Sequence, residues 1–169
     1  HKGGNYFTLS GAAGTGKSTI VKKILNDYRG GVCVSATTHK AKKVIANMTG
    51  QDAKTLSSLV GLRPDVDLTE FNPNNPIFNP IAAPRINQYN FVIVDESSML
   101  NSDICDLIFE LIDGHRTKVL FIGDEHQLPP VKEKMSKVFT DSRIELFKLN
   151  KVERQLDTNP LLLVCDTLR

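Results

Sequence analysis

The chain is poor in the residues that build a disulfide framework or a thiolate metal site. It has three cysteines in 169 residues, Cys33, Cys105 and Cys165, far apart and with no Cys-x-x-Cys pair. Each lies in an apolar setting, so the expectation is buried, reduced thiols in a reducing compartment. No apolar run approaches the roughly 20 residues of a membrane span, and no secretory leader is readable. Internal repeats and low-complexity tracts are also missing. The formal net charge is only +2, which by itself does not argue for a polyanionic partner. His39 and His126 have no third histidine or cysteine to complete a metal site, which excludes that reading. The chain starts with His1 close to its first strand and stops inside a helix-like run. It is therefore expected to be a piece of a longer, cytoplasmic protein.

What the sequence does have is ordinary apolar content, 40 %, with 24 % charged residues. That suits a globular α/β domain of this length. One stretch organises it: Gly11-Ala12-Ala13-Gly14-Thr15-Gly16-Lys17-Ser18-Thr19. Glycine, four residues, then Gly-Lys-Ser is the template of a phosphate-binding loop. Glycines let successive backbone N–H groups converge on an anion, and the helix start behind them adds partial positive charge. Lys17 can reach the β- and γ-phosphates, and the Ser18 hydroxyl can ligate Mg²⁺. ATP and Mg²⁺ are the expected ligands.

Apolar runs at Tyr6–Leu9, Val32–Ser35, Phe91–Val94, Val119–Ile122 and Ile144–Leu149 read as strands. Helical spacing covers 17–28, 40–48, 101–112 and 159–168, with a short helix over 55–60 capped by Thr55. Alternating strands and helices imply a doubly wound parallel sheet, with ligands at the C-terminal strand ends. Residues 62–90 break this rhythm with Pro64, Pro73, Pro76, Pro80 and Pro84. Two readings stand for them: a disordered surface insertion, or a small hairpin subdomain. The domain boundaries are then 1–61 and 91–169 for the two parts of one domain, around an inserted 62–90.

Asp95 follows Phe-Val-Ile-Val, which puts its carboxylate at a strand tip beside the phosphate loop, where it can hold Mg²⁺. Glu96 is the candidate to activate an attacking water. Gln127, in Gly123-Asp-Glu-His-Gln-Leu-Pro-Pro-Val131, offers a neutral amide suited to sensing the γ-phosphate. Arg154, just past the last strand, could stabilise charge on a transferring phosphoryl group. Charge is unevenly spread: between Thr37 and Arg63 five basic residues face Asp52 alone. Thr37, Thr38, His39 and Lys40 sit at a helix start after a strand, a setting that suits a phosphate backbone.

Together these stretches resemble the superfamily 1 helicases, in the RecD/Dda-like branch. Gly11 to Thr19 resembles motif I, Ala36-Thr-Thr-His-Lys-Ala-Lys-Lys43 motif Ia, and Thr55-Leu-Ser-Ser-Leu59 motif Ib. Val94-Asp-Glu-Ser-Ser-Met99 resembles motif II, Gly123 to Val131 motif III, and Val152-Glu-Arg-Gln155 motif IV. The resemblance implies the first of two RecA-like domains of a 5′→3′ DNA helicase, a P-loop NTPase. It also implies that Thr38, His39 and Thr55 contact single-stranded DNA, and that 62–90 holds the hairpin that splits the duplex. Phe71 or Phe78 is then either its wedge or a local packing residue. The upstream glutamine motif and the second RecA-like domain are not in the sequence. So 1–169 alone is expected to bind ATP weakly, hydrolyse it poorly and unwind nothing. A phosphotransferase built on the same loop and a catalytically silent nucleic-acid binder are the alternatives.

Overall fold

The computed structural model describes residues 4–63 and 66–149. Six strands form one parallel sheet in the order β3-β2-β4-β5-β1-β6. They are β1 (Tyr6–Gly11), β2 (Val32–Ala36), β3 (Ala53–Thr55), β4 (Phe91–Asp95), β5 (Lys118–Gly123) and β6 (Ile144–Leu149). Four helices connect them: α1 (Lys17–Asp27), α2 (His39–Thr49), α3 (Leu56–Leu59) and α4 (Ser102–Ile112). The chain runs from β1 to distant β2 and later fills the gap with β4 and β5. That reversal leaves the strand tips of β1, β4 and β5 side by side, where a ligand crevice forms on such sheets.

Alternation along the strands sorts their side chains onto two faces. One face gathers Phe7, Leu9, Phe91, Ile93, Leu120 and Ile122 under Ile20, Val21 and Ile24 of α1. Val34, Ala36 and Ala53 continue it under Ile45 of α2. The opposite face, with Val92, Val94, Val119 and Phe121, packs against Ile104, Cys105, Ile108 and Ile112 of α4. Each Val, Leu, Ile or Phe side chain sunk in these layers contributes roughly 1.5–3 kcal/mol. No helix among the described residues is long and apolar enough to cross a membrane. Cys33 and Cys105 are buried free thiols, and burial pushes them up to about 11 and about 12. Cys165 and the helix expected over 159–168 lie outside the described residues.

Within 62–90, where a disordered insertion and a small hairpin are the two readings, the described residues hold no strand. They fold instead as three single turns, Leu68–Glu70, Pro76–Phe78 and Ile86–Gln88. The physical reason is donor supply. Each proline removes an N–H that a ladder needs, while Asp67, Asn72 and Asn75 close local turns by accepting the amides of Thr69, Asn74 and Ile77 at 2.9, 2.9 and 3.1 Å. Nor is the segment a loose insertion. Leu68, Phe71, Phe78 and Ile86 are buried in the same cluster as α4 and the sheet. Phe71 and Phe78 meet edge to face at 5.1 Å, so both are packing residues rather than an exposed wedge. The chain is laced back to its own start: Ile81 and Ala82 donate to the Gly61 carbonyl, and Arg85 to that of Leu59. Strand β3 was not expected. Ala-Lys-Thr carries no apolar run, and only its pairing with β2, Val34 opposite Ala53, makes it a strand.

Candidate nucleotide site

The loop after β1 turns through Gly14 and Gly16, at φ +80° and +92°, into α1. Nothing lies within 4 Å of where a side chain would start at either glycine, so the backbone faces open space there. Helices α2, α3 and α4 each begin with a side-chain cap, from Thr38, Thr55 and Asn101. Helix α1 begins at Gly16 with none. The Thr19 amide donates to the Gly16 carbonyl at 2.9 Å, which leaves the Lys17 and Ser18 amides to an outside acceptor, and the helix dipole favours a negative one. Lys17 reaches back over the loop, donating to the carbonyl of Gly11 and, at 2.9 Å, to that of Ala12. Thr15 secures the same turn by donating to the Ala12 carbonyl at 2.8 Å.

A cleft of about 400 Å³ opens on this loop, lined by Ala13, Gly14, Gly16, Lys17, Ser18, Asp95 and Glu96 among others. The structure therefore brings the phosphate loop and the acidic pair into one site. Asp95 ends β4, half-buried. Burial pushes its carboxyl above the usual range, and the Glu96 charge adds to this; the Glu96 amide and Lys17 pull the other way. Glu96 is exposed and left-handed, at φ 56°. Such a backbone is uncommon outside glycine and turns the carboxylate out of the strand line. Ser97 and Ser98 hold that turn to β5. The Ser97 hydroxyl donates to the Ile122 carbonyl at 2.8 Å, and that of Ser98 accepts the Asp124 amide at 2.8 Å.

The donors suit the expected ligands. Open amides at a helix start and one lysine fit a polyphosphate, and the Ser18 hydroxyl beside the Asp95 carboxylate is an oxygen-only set of the kind Mg²⁺ takes. Among the described residues no group of three or more His, Cys, Asp or Glu is gathered for a metal, so any ion held here would rely on phosphate and water for its remaining ligands.

Gln127 is exposed on the loop after β5 and is not among the residues lining the cleft. Its backbone N–H donates to the Asp124 carbonyl at 3.0 Å. Thr37 is buried, while Thr38, His39 and Lys40 are exposed at the start of α2. Thr55 is buried, and its hydroxyl accepts from Ser57 and from the Ser58 amide as the α3 cap. Arg154 lies outside the described residues. Sequence reasoning missed the apolar wall of the cleft, formed by Val21, Val44, Ile45 and Ile122. Val44 stands 58 % exposed beside buried Ile45, on a helix whose other exposed residues, such as Lys40, Lys43 and Asn47, are polar.

Comparison with known proteins agrees with this geometry. A family model described as an AAA domain matches residues 1–166. The ATP-dependent RecD2 DNA helicase of Deinococcus radiodurans is 34% identical over 160 residues, covering 91% of this chain and 20% of that protein. The ATP-dependent DNA helicase Dda of Enterobacteria phage T4 is 30% identical over 132 residues, covering 76% of this chain and 29% of that protein. The crystal structure of Bacteroides Pif1 bound to ssDNA superposes with a TM-score of 0.62 at 26% identity, over 90% of this chain and 40% of that one. The chain thus spans well under half the length of the relatives it matches. With an uncapped, glycine-turned phosphate loop facing an acidic strand tip on a RecA-like parallel sheet, the chain belongs to the AAA domain family and groups with the superfamily 1 helicases of the RecD, Dda and Pif1 type.

Proposed function

We propose that this chain is the ATP-binding motor domain of an ATP-dependent DNA helicase, moving 5′→3′ on single-stranded DNA in the cytoplasm. One observation carries the reading: Lys17, Ser18, Asp95 and Glu96 line a single cleft at the open start of α1. The backbone of Gly11 to Thr19 would cradle the triphosphate of ATP, and Lys17 would exchange its two loop carbonyls for β- and γ-phosphate oxygens. Ser18 and Asp95 would hold Mg²⁺, whose charge offsets that of the phosphates. Glu96 would take the proton of the water that attacks the γ-phosphorus, leaving ADP and inorganic phosphate. Gln127 would read the γ-phosphate from its exposed loop once a second RecA-like domain closes on the cleft, and Arg154 would stabilise charge on the transferring phosphoryl group. Thr38, His39 and Lys40 form the basic, exposed ledge proposed to hold the DNA backbone. Thr37 and Thr55, both buried, would support the ledge rather than touch the strand.

The test is steady-state ATP hydrolysis by the full-length protein, with and without single-stranded DNA, beside Lys17→Ala. A DNA-stimulated turnover that Lys17→Ala lowers by about 100-fold or more, with thermal stability unchanged, is expected. Turnover indifferent to DNA would mark a phosphotransferase instead, and none at all would mark a silent binding module. Residues 1–169 alone should hydrolyse ATP poorly, because half of the cleft would come from the second domain.

A further inference from the structure

Asn101 stands at the start of α4, and the two ends of its amide do different jobs. Oδ1 accepts the Ile104 amide at 3.1 Å and caps the helix. Nδ2 donates to the Phe71 carbonyl at 2.7 Å. That bond ties the 66–90 segment directly to the chain leaving the nucleotide cleft. Its far end is firmly held, since the Phe71 ring is buried against Phe78.

The path from the cleft to Asn101 has little slack. Glu96 is held left-handed, and buried Ser97 and Ser98 are bonded to the Ile122 carbonyl and the Asp124 amide. Leu100 is fully buried, and its carbonyl accepts the Ser136 hydroxyl at 2.6 Å. Just beyond, the amide and hydroxyl of Ser102 both donate to the Glu133 carboxylate, at 2.7 and 3.0 Å. Packed turns bonded at this many points shift as a unit rather than deform gradually.

We infer that Asn101 is a positioning residue that passes the state of the nucleotide cleft to the 66–90 segment, through its Nδ2 bond to the Phe71 carbonyl. The inference rests on the motor reading only in that the cleft must take a nucleotide. The competing role is that of a helix cap and no more. One substitution separates the two. Asn101→Asp keeps an acceptor for the Ile104 amide, and aspartate is as good a cap as asparagine. It replaces the donor to Phe71 by an oxygen that repels the carbonyl. Asn101→Ser also caps but is too short to reach Phe71, and it guards against an effect of the added charge.

Amide hydrogen exchange on the full-length protein, with and without Mg²⁺, ADP and fluoroaluminate, reads the outcome. In the unsubstituted protein the nucleotide slows exchange both in peptides over 11–19 and in peptides over 66–82. In both variants the protection over 11–19 stays, and that over 66–82 falls to less than a third. On tailed duplex DNA, the variants keep single-strand-stimulated ATP hydrolysis within about twofold and lose at least fivefold in unwinding rate. Equal protection of 66–82 in variant and parent overturns the inference, as does hydrolysis falling in step with unwinding. Protection at 11–19 without any at 66–82 in the parent overturns it while leaving the motor reading intact. No protection at either place in the parent removes the nucleotide site itself, and the inference with it.

Discussion

The phosphate loop and the 66–90 segment are both irregular backbone, yet they are built in opposite ways. The loop is hollow: Gly14 and Gly16 have nothing within 4 Å of a would-be side chain, and Lys17 and Thr15 satisfy only the loop's own carbonyls. The segment is full: Leu68, Phe71, Phe78 and Ile86 are sunk in the core. Gly61, where the segment is stitched back, would place a side chain 2.5 Å from the Ala82 carbonyl oxygen. Gly14 and Gly16 leave room in the first place, while Gly61 allows close approach in the second. Irregular structure near an active site can thus be either the site or part of the core behind it.

The sharpest way to break this comparison is to empty the full region. Phe71→Ala should cost about 3–5 kcal/mol in a urea or guanidinium titration. A cost under about 1 kcal/mol would mean the segment is not core. A paired glycine experiment comes next. Gly61→Ala should lose about 2–3 kcal/mol, since left-handed strain and a backbone clash both act. Gly14→Ala meets strain alone and should lose only about 1 kcal/mol, while weakening nucleotide affinity. Equal losses at both would erase the distinction between hollow and full.

The smallest effect concerns neither region and serves as a baseline for acid titrations. Hydrogen bonds from Arg143 hold the Asp141 carboxyl down to about 2. Its native value lies below the unfolded one of about 3.9, so its contribution is present above about pH 4 and is lost as pH falls toward 2. Asp141→Asn should flatten that part of the stability profile by lowering its neutral-pH plateau, by only about a degree or two in thermal midpoint because Arg143 is half-exposed, and should leave the stability near pH 2 unchanged. An unchanged acid limb would show the pair to be solvated and inert.

The phosphate loop was legible because local chemistry writes it, in glycines at fixed spacing, a lysine and a preceding apolar run. Strands β1, β2, β4 and β5 were legible for a like reason, since strands covered on both faces read as unbroken apolar runs. The 62–90 segment was not. Its isolated Leu68, Phe71, Phe78 and Ile86 have no period, and what orders them is distant, the Asn101 amide and the cluster under α4. Strand β3 failed for the same reason, existing only by its pairing with β2. In the site, the acidic pair could be placed from the sequence because a strand end fixes its position. Gln127 was harder, since a loop amide's direction depends on turns such as that of Asp124 with His126, whose amide it accepts at 3.0 Å.

Glu96 occupies a left-handed position where glycine or asparagine would rest more easily. Selection for heat tolerance alone would therefore drift toward those residues at 96, and under the proposed mechanism that drift would remove the group that takes the water's proton. A carboxylate at such a spot is what the proposed proton transfer from water asks for, at the expense of thermal margin.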